Sequence, residues 1–387
     1  MESKAVVLIV GAGPSGIATA ACLTRHSIPY VLLEREDCHN SLWKKGTYDR
    51  LGLHLAKEFC SLPYKPHPPN TPTFLSKECF VRYIDEYVSQ FDINPRYHRS
   101  VESASYDNSE NKWRVEAKNT IEGKTEVYVA EFIVVATGEN SEDYIPDVTG
   151  LDSFKGEIVH SKQYKSGLKY QDQDVLVVGC GNSGMEIAYD LSNFYSRPSI
   201  VVRGPFHVLT REAVHRGMSL MKYLPVHIVD ALTVIHAAFL FGNLSKYGIH
   251  RPNIGPFFQK SLTGRSPVID VGTIKKIKQG EIQVVPGIVR INEDSVEFMD
   301  GTERKFDAIV FATGYKSSAN NWLKDYKYAL NEEGMPKNPF PAHFKGEKGL
   351  YCAGLSKRGL FGVARDAETI ADDINKILSA RNWKLYL

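Results

Sequence analysis

Two glycine-rich segments of the same form are the residues of this 387-residue chain best suited to chemistry. Each follows an apolar run and precedes a helical pattern: Gly11-Ala12-Gly13-Pro14-Ser15-Gly16 and Gly179-Cys180-Gly181-Asn182-Ser183-Gly184. In G-x-G-x-x-G the first glycine permits a tight turn, the second lets the backbone approach a pyrophosphate, and the third allows helix and strand to pack closely. The free N–H groups of the helix start attract phosphates. The pair therefore predicts two dinucleotide sites.

The residue that ends the next apolar strand differs between the two segments. Glu34 lies 18 residues after Gly16, and Arg203 lies 19 residues after Gly184. At about this distance an acidic residue accepts a ribose 2′-hydroxyl, whereas an arginine accommodates a 2′-phosphate. A carboxylate would repel that phosphate, and a guanidinium pairs with it. The first segment suits FAD or NAD and the second suits NADP, while a glycine-rich turn without a ligand is the alternative for either one alone.

Both segments have a later companion that indicates how the chain is organised. The apolar run 132–135 leads into Ala136-Thr137-Gly138, and the run 308–311 leads into Ala312-Thr313-Gly314. Short apolar runs that alternate with helical patterns predict an α/β fold with parallel, doubly wound sheets. We expect two Rossmann-like dinucleotide-binding domains, with an NADPH domain (166–304) inserted into a discontinuous FAD domain (1–165 and 305–387). An amphipathic helix is predicted over Asp366–Leu378.

Composition excludes several other classes of protein. A formal net charge of +2 gives no field for nucleic acid or a membrane surface. The six cysteines form neither a C-x-x-C pair nor a zinc spacing, so we predict reduced thiols, no metal site and a cytoplasmic location. The first strand begins within five residues of Met1, which leaves no room for a targeting peptide. The apolar segment 226–244 contains His227, Asp230 and His236, which favours a packed helix over shallow membrane contact and predicts no transmembrane segment.

The segment between the two modules points to a family. Phe154 to Tyr164 fits F-x-G-x-x-x-H-x-x-x-Y, which resembles the identifying sequence of flavin-containing monooxygenases; Baeyer-Villiger enzymes typically carry tryptophan and proline where this chain has Tyr164. Further motifs resemble the plant YUCCA subfamily over nearly the whole chain: Leu33-Glu34-Arg35, Ser41-Leu42-Trp43, Thr47-Tyr48-Asp49-Arg50-Leu51, Leu53-His54-Leu55, Ala136-Thr137-Gly138-Glu139-Asn140, Gly181 to Glu186, Asp270 to Thr273 and Lys357 to Leu360.

The resemblance implies an NADPH- and oxygen-dependent FAD monooxygenase, an oxidoreductase of auxin biosynthesis. Such an enzyme converts indole-3-pyruvate to indole-3-acetate by oxidative decarboxylation through a flavin 4a-peroxide. The cofactor then carries out the difficult steps, and the protein orients an aromatic 2-oxo acid and excludes water. A flavin monooxygenase that oxidises nitrogen or sulfur of small nucleophiles shares these motifs and is the alternative. A flavin-binding sensor without turnover is a third possibility. A thiol-disulfide reductase is excluded, because it needs a redox-active cysteine pair and this sequence has none.

Site residues follow from the motifs and from the resemblance. Cofactor binding is expected of both glycine segments and of six further residues: Glu34, Arg35, Trp43, Thr137, Gly138 and Arg203. Flavin-proximal candidates are His54, Asn140 and Asn182, with a structural histidine and an ordinary core aromatic as the alternatives for His54 and Trp43. His160 and Tyr164 are expected to set the packing of the linker. Gly46 and Ala56 depart from the subfamily's usual arginine and proline, and the oligomeric state and the preferred 2-oxo acid are left open.

Overall fold

The computed structural model describes residues 2–383 of the chain. The strands are β1 (Glu2–Val10), β2 (Tyr30–Leu33), β3 (Arg99–Asp107), β4 (Lys112–Asn119), β5 (Thr125–Val135), β6 (Glu142–Asp143), β7 (Glu157–His160), β8 (Asp174–Val178), β9 (Arg197–Val201), β10 (Val208–Leu209), β11 (Val268–Ile269), β12 (Gln283–Val285), β13 (Ile288–Ile291), β14 (Ser295–Phe298), β15 (Glu303–Lys305), β16 (Ala308–Phe311), β17 (Tyr315–Lys316) and β18 (Leu350–Cys352). The helices are α1 (Pro14–Arg25), α2 (Ser41–Lys45), α3 (Lys77–Gln90), α4 (Asn182–Asn193), α5 (Arg211–Leu220), α6 (Val226–Phe241), α7 (Pro256–Thr263), α8 (Thr273–Gln279), α9 (Ala319–Trp322) and α10 (Gly359–Trp383).

The chain divides into two compact units. Unit 1 comprises the described residues up to Gly46, then Lys57–Glu142 and the residues from Tyr315 onward. Unit 2 comprises Thr47–Ala56 and Asp143–Gly314. Each unit contains one of the two glycine segments at the start of a helix, α1 in unit 1 and α4 in unit 2. This arrangement confirms the predicted α/β class with two nucleotide-binding folds.

Unit 1 is built on a sheet with the order β2-β1-β5-β4-β3. Strands β1, β2 and β5 run parallel, whereas β4 pairs antiparallel with β5 and β3. The long β5 serves both parts of the sheet: its first half pairs with β4, and its last three residues pair with β18. Continuous apolar runs form the second half of β1 and the end of β5, because both faces of a parallel sheet are covered there.

Unit 2 is built on a fully parallel sheet with the order β12-β9-β8-β16-β7. Strand β16 lies between β8 and β7, and all four of its residues are buried. The core of this unit includes Tyr48 and Tyr164 together with apolar residues of α4. The carboxyl ends of β8, β9 and β16 therefore lie at one edge, where ligands bind in open α/β sheets.

The unit boundaries differ from those expected from the sequence. Residues 143–165 and 305–314 belong to unit 2, because β7 and β16 are strands of its sheet. The short segment 47–56 also belongs to unit 2, although in the sequence it lies within the predicted first part of the FAD domain. The last helix begins at Gly359 rather than near Asp366. In the described part of the chain, no helix is long and apolar enough to cross a membrane.

Candidate functional site

The first glycine segment forms a turn that its own packing requires. Gly11 has φ +105°, and a Cβ there would lie 2.7 Å from the Ala136 carbonyl oxygen. A Cβ on Gly16 would lie 1.9 Å from the Gly11 carbonyl oxygen. These two glycines are explained by the close approach of α1 to β1 and to the end of β5. The Ala136-Thr137-Gly138 segment is thus the packing partner of the first turn.

No contact within the protein requires a glycine at position 13. Its φ of −73° is open to any residue, and a Cβ built on it meets nothing within 4 Å. It is the N-cap of α1, yet a glycine has no side chain to accept the free N–H groups of the first turn. Space beside unpaired donors is what a pyrophosphate requires, so the turn fits the dinucleotide that the sequence predicts.

Glu34 is fixed against this turn. Its Oε2 accepts the Ala12 N–H at 2.7 Å, and its Oε1 accepts the Glu36 N–H at 3.0 Å. Burial raises the pKa of the Glu34 carboxyl, while the two N–H donors act in the opposite direction. Each carboxylate oxygen keeps a further lone pair for a ribose hydroxyl. The predicted ribose reader and the glycine turn therefore form one constellation.

Two buried side chains beside the same turn lack hydrogen-bond partners. Asn40 is 1% exposed, its backbone N–H donates to the Ala12 carbonyl at 2.8 Å, and neither its Oδ1 nor its Nδ2 is bonded. Thr137 Oγ1, at the end of β5, is also buried and unbonded. A buried polar group without a partner costs about 1–3 kcal/mol. Both groups lie beside the first turn with unused hydrogen-bonding capacity. Asn40 was not predicted, because the lack of a partner for its amide depends on the folded surroundings and leaves no signal in the sequence.

The other residues predicted for unit 1 are spread around this turn. Pro14 and Ser15 form the first turn of α1, and Gly138 has φ +84° just beyond Thr137. The guanidinium of Arg35 donates to the Ser141 carbonyl at 3.3 Å. Trp43 packs edge-on against Phe80 with ring centroids 4.6 Å apart, as a core aromatic does. Asn140 is exposed.

The second glycine segment repeats the geometry of the first. Gly179 has φ +112°, and its Cβ would lie 2.5 Å from the Ala312 carbonyl oxygen; a Cβ on Gly184 would lie 1.9 Å from the Gly179 carbonyl oxygen. Gly181, the N-cap of α4, again has nothing within 4 Å of a built Cβ. The same division therefore recurs, with two glycines needed by the fold and one that leaves room for a ligand.

Arg203 lies beside this second turn. It is exposed two residues after β9, and its backbone hydrogen-bonds the Cys180 thiol. Burial raises the pKa of that thiol, and the neighbouring guanidinium lowers it. Glu34 contacts Ala12 in unit 1, and Arg203 contacts Cys180, the corresponding residue of unit 2. The two turns thus have side chains of opposite charge beside them.

Asn182 and Ser183 have partners inside unit 2. The Asn182 Oδ1 accepts the N–H of Ile269 at 2.7 Å, which ties the start of α4 to β11. Ser183 hydrogen-bonds the phenol of Tyr48. The amide nitrogen of Asn182 remains available to a ligand, whereas its oxygen is used by the fold.

His54 belongs to a cluster centred on a buried carboxylate of α4. Glu186 is 1% exposed; its Oε1 lies 2.7 Å from His54 Nε2, and its Oε2 accepts the Tyr48 hydroxyl at 2.9 Å. Burial and the adjacent carboxylate raise the pKa of Tyr48 well above its usual value, so the phenol stays a donor. Glu186 lies in the motif Gly181 to Glu186, but the sequence predicted no role for it, because its partners Tyr48 and His54 are more than 130 residues away.

The linker residues His160 and Tyr164 do pack, as expected. Tyr164 donates to Asp190 Oδ2 at 2.7 Å, and the same oxygen accepts the Gly167 N–H. His160 Nε2 lies 3.0 Å from the Gly314 carbonyl oxygen, and burial lowers the pKa of its imidazole. Both side chains therefore have polar partners within unit 2.

Comparisons with known proteins agree with this geometry. A family model described as flavin-binding monooxygenase-like matches residues 4–361. A probable indole-3-pyruvate monooxygenase of Arabidopsis thaliana, YUCCA10, is 59% identical over 97% of this chain and 98% of its own length. YUCCA3 of the same plant, also named a probable indole-3-pyruvate monooxygenase, is 46% identical over 97% and 87%. The fold of a flavin-containing monooxygenase from Stenotrophomonas maltophilia matches with a TM-score of 0.73 at 19% identity, over 97% of this chain and 99% of that one.

Proposed function

Because this chain belongs to the flavin-binding monooxygenase-like family and is an FAD- and NADPH-dependent oxidoreductase, we propose that it converts indole-3-pyruvate to indole-3-acetate. The balanced reaction takes the 2-oxo acid, O₂, NADPH and a proton to the shorter acid, CO₂, water and NADP⁺. The observation that carries this substrate is the 59% identity, over nearly both whole chains, to a relative named for it. An aromatic 2-oxo acid and oxygen are thus the proposed partners.

In unit 1 the proposed FAD contacts follow from the groups that the fold leaves unused. The first turn of α1 offers N–H donors and the open space at Gly13 to the pyrophosphate. Glu34 accepts ribose hydroxyls with the lone pairs that Ala12 and Glu36 leave free. Asn40 and Thr137 contribute their unbonded side-chain atoms. The bound flavin supplies the hydride acceptance and oxygen chemistry that no side chain provides.

In unit 2 the proposed NADPH contacts are the second turn and Arg203. The N–H groups at the start of α4 face the space at Gly181, which suits a pyrophosphate. The exposed guanidinium of Arg203 can pair with the 2′-phosphate, which NADH lacks. The opposite charges of Glu34 and Arg203 support the assignment of one dinucleotide to each unit.

Glu186 is proposed as the residue that orients His54. The carboxylate fixes His54 through Nε2 and is itself held by Tyr48, so the imidazole is restricted to one orientation. The side chain of His54 keeps 22% of its surface exposed and remains accessible to a ligand. Its proposed part is to position bound groups. Asn140 is proposed for the same task with its side-chain amide, and Asn182 with its amide nitrogen.

The cysteines support a cytoplasmic location, which we add to the proposal. All six are free thiols: Cys22, Cys38, Cys60, Cys79, Cys180 and Cys352. Free buried thiols are typical of proteins in reducing compartments.

Product analysis separates the proposed reaction from its alternative. The holoenzyme is supplied with NADPH, O₂ and catalase, and with indole-3-pyruvate, a tertiary amine or a thioether. We expect indole-3-acetate from the first and no oxide of the others. Amine or sulfur oxides without indole-3-acetate would identify the alternative monooxygenase. Catalase is needed because free hydrogen peroxide decarboxylates 2-oxo acids without an enzyme.

A further inference from the structure

Helix α6 of unit 2 is apolar on two opposite faces. One face is buried and includes Val229, Thr233, Ala237 and Phe241. The opposite face carries Ile228, Leu232, Ile235 and Phe239, which are 39%, 50%, 67% and 91% exposed. Spacings of four, three and four residues place these side chains in one line along the helix. A helix on the surface of a globular protein normally carries polar residues on its outer face.

The neighbouring helix α7 also carries exposed apolar side chains. Asp230 of α6 accepts the N–H groups of Phe257 at 2.8 Å and Phe258 at 3.1 Å, which fixes the start of α7 against α6. Phe258 and Leu262, one turn apart on α7, are both exposed. We define the α6 surface as the exposed side chains Ile228, Leu232, Ile235, Phe239, Phe258 and Leu262. Exposed apolar side chains in this number on two neighbouring helices are typical of an interaction site.

The segment that carries the α6 surface is strongly basic. Residues 211–265 contain seven Lys or Arg and two Asp or Glu, a formal charge of +5 in a chain whose total is +2. One of the two acids, Asp230, is buried beneath α7. Arg216 of α5 lies 3.2 Å from His236 of α6, so a cation borders the helix directly. Arg216 therefore lies beside the helix, within a segment whose local charge is more positive than the whole-chain charge of +2, which by itself indicated no membrane-surface field.

We propose that the α6 surface docks on a lipid bilayer with anionic headgroups, with α6 lying in the plane of the interface. An apolar helix face with basic flanks binds such surfaces by burying the apolar side chains while the cations meet the headgroups. The helix has 16 residues and a length of about 24 Å, short of the roughly 30 Å hydrocarbon core, so it lies on the membrane and does not cross it. A twofold contact between two copies would instead bring two basic segments together.

Vesicle sedimentation of the full-length holoenzyme tests this proposal. The probes are vesicles of phosphatidylcholine alone and of phosphatidylcholine with phosphatidylserine, each at low and high salt. We expect partition onto the anionic vesicles that falls as salt rises. The variant Ile235→Glu/Phe239→Glu should lose at least about tenfold in partition, since burial of one such side chain contributes roughly 1.5–3 kcal/mol.

A matched control variant separates the loss of the α6 surface from a general effect of added negative charge. Ile121, 71% exposed on the β4–β5 turn of unit 1, gives the control variant Ile121→Glu, which should bind as the parent does. Flavin content and thermal melting show that each variant is folded. Equal loss in the control, or no partition of the parent onto anionic vesicles, overturns the proposal. So does a parent dimer that Ile235→Glu/Phe239→Glu converts to monomer without any vesicle binding by the parent.

Discussion

His54 Nε2 lies 2.7 Å from Glu186 Oε1, and the other oxygen of this buried carboxylate accepts the Tyr48 hydroxyl at 2.9 Å. We expect Glu186→Ala to lower the free energy of unfolding by about 2–3 kcal/mol, because two donors lose a charged acceptor. Tyr48→Phe should cost about 1 kcal/mol or more. In a double-mutant cycle, the effects of Tyr48→Phe and Glu186→Gln on the free energy of unfolding should not add. Urea denaturation measures these effects, with the exposed Tyr195→Phe as control; additive costs would contradict the cluster.

Arg203→Ala tests the assignment of NADPH to unit 2. The loss of a charge-assisted pair with the 2′-phosphate should weaken NADPH by roughly tenfold to a hundredfold and leave NADH nearly unchanged. The dissociation constants of both nucleotides are measured by titration of the holoenzyme under anaerobic conditions. Arg290→Ala, an exposed arginine of β13 in the same unit, is the matched control. Equal losses for the two nucleotides would remove Arg203 from the phosphate site.

Asn40→Ala tests whether the buried, unbonded amide beside the first turn contacts FAD. In the apo chain this substitution removes an unsatisfied polar group but places alanine at a left-handed φ of 54°, so the two effects oppose each other and stability should change little. Flavin affinity should instead fall by roughly fivefold to a hundredfold, as measured by fluorescence titration. Asn119→Ala is the control, because its amide already bonds within the protein and its loss should destabilise apo and holo forms alike. Unchanged flavin affinity in Asn40→Ala would contradict this role.

The lowered pKa of Glu126 predicts that the stability of unit 1 depends on pH. Hydrogen bonds from the Arg99 guanidinium, against the cost of burial, lower the pKa of this carboxyl from 4.5 to about 2. Because the folded-state pKa is the lower one, its stabilisation is present above the unfolded pKa and is lost as the pH falls from about 4.5 towards 2. Glu126→Gln should therefore lower the free energy of unfolding at pH 7, measured by urea denaturation, by about 1–2 kcal/mol after allowance for solvent screening. The gap to the parent should narrow below pH 4.5.

The control for this pH effect is a more exposed glutamate on the β4–β5 turn. Glu122 pairs with Lys124 at 3.4 Å, and both side chains are more than half exposed. Glu122→Gln should change stability by less than about 0.5 kcal/mol at any pH. A difference between Glu126→Gln and its parent that stays constant from pH 7 down to about pH 2.5 would show that the carboxylate charge is not the source.

The sequence predicted the parts of the site that arise from local backbone geometry. Glycine spacing identified both turns, and the position of Glu34 and Arg203 at strand ends placed each charge beside its turn, as the structure shows. The family inferred from these motifs is confirmed by the relatives. The binding roles of the individual residues stay predictions.

Contacts between residues far apart in the sequence could not be predicted, for a physical reason. Glu186 finds Tyr48 and His54 only because the segment 47–56 packs with unit 2, and no periodicity records that contact. The second unit's boundaries were also misplaced, since the strand partners of β16 are set by the sheet order and not by local propensity. The unbonded amide of Asn40 likewise depends on neighbours that only the fold supplies.

The most direct test of the central claim is isotope tracing of one turnover. Holoenzyme, NADPH, indole-3-pyruvate and catalase are supplied with ¹⁸O₂, and indole-3-acetate, CO₂ and consumed NADPH are quantified. The proposed reaction predicts equal amounts of all three and one labelled oxygen in the carboxylate of each indole-3-acetate. Consumption of NADPH with no labelled indole-3-acetate above the control without enzyme would contradict it.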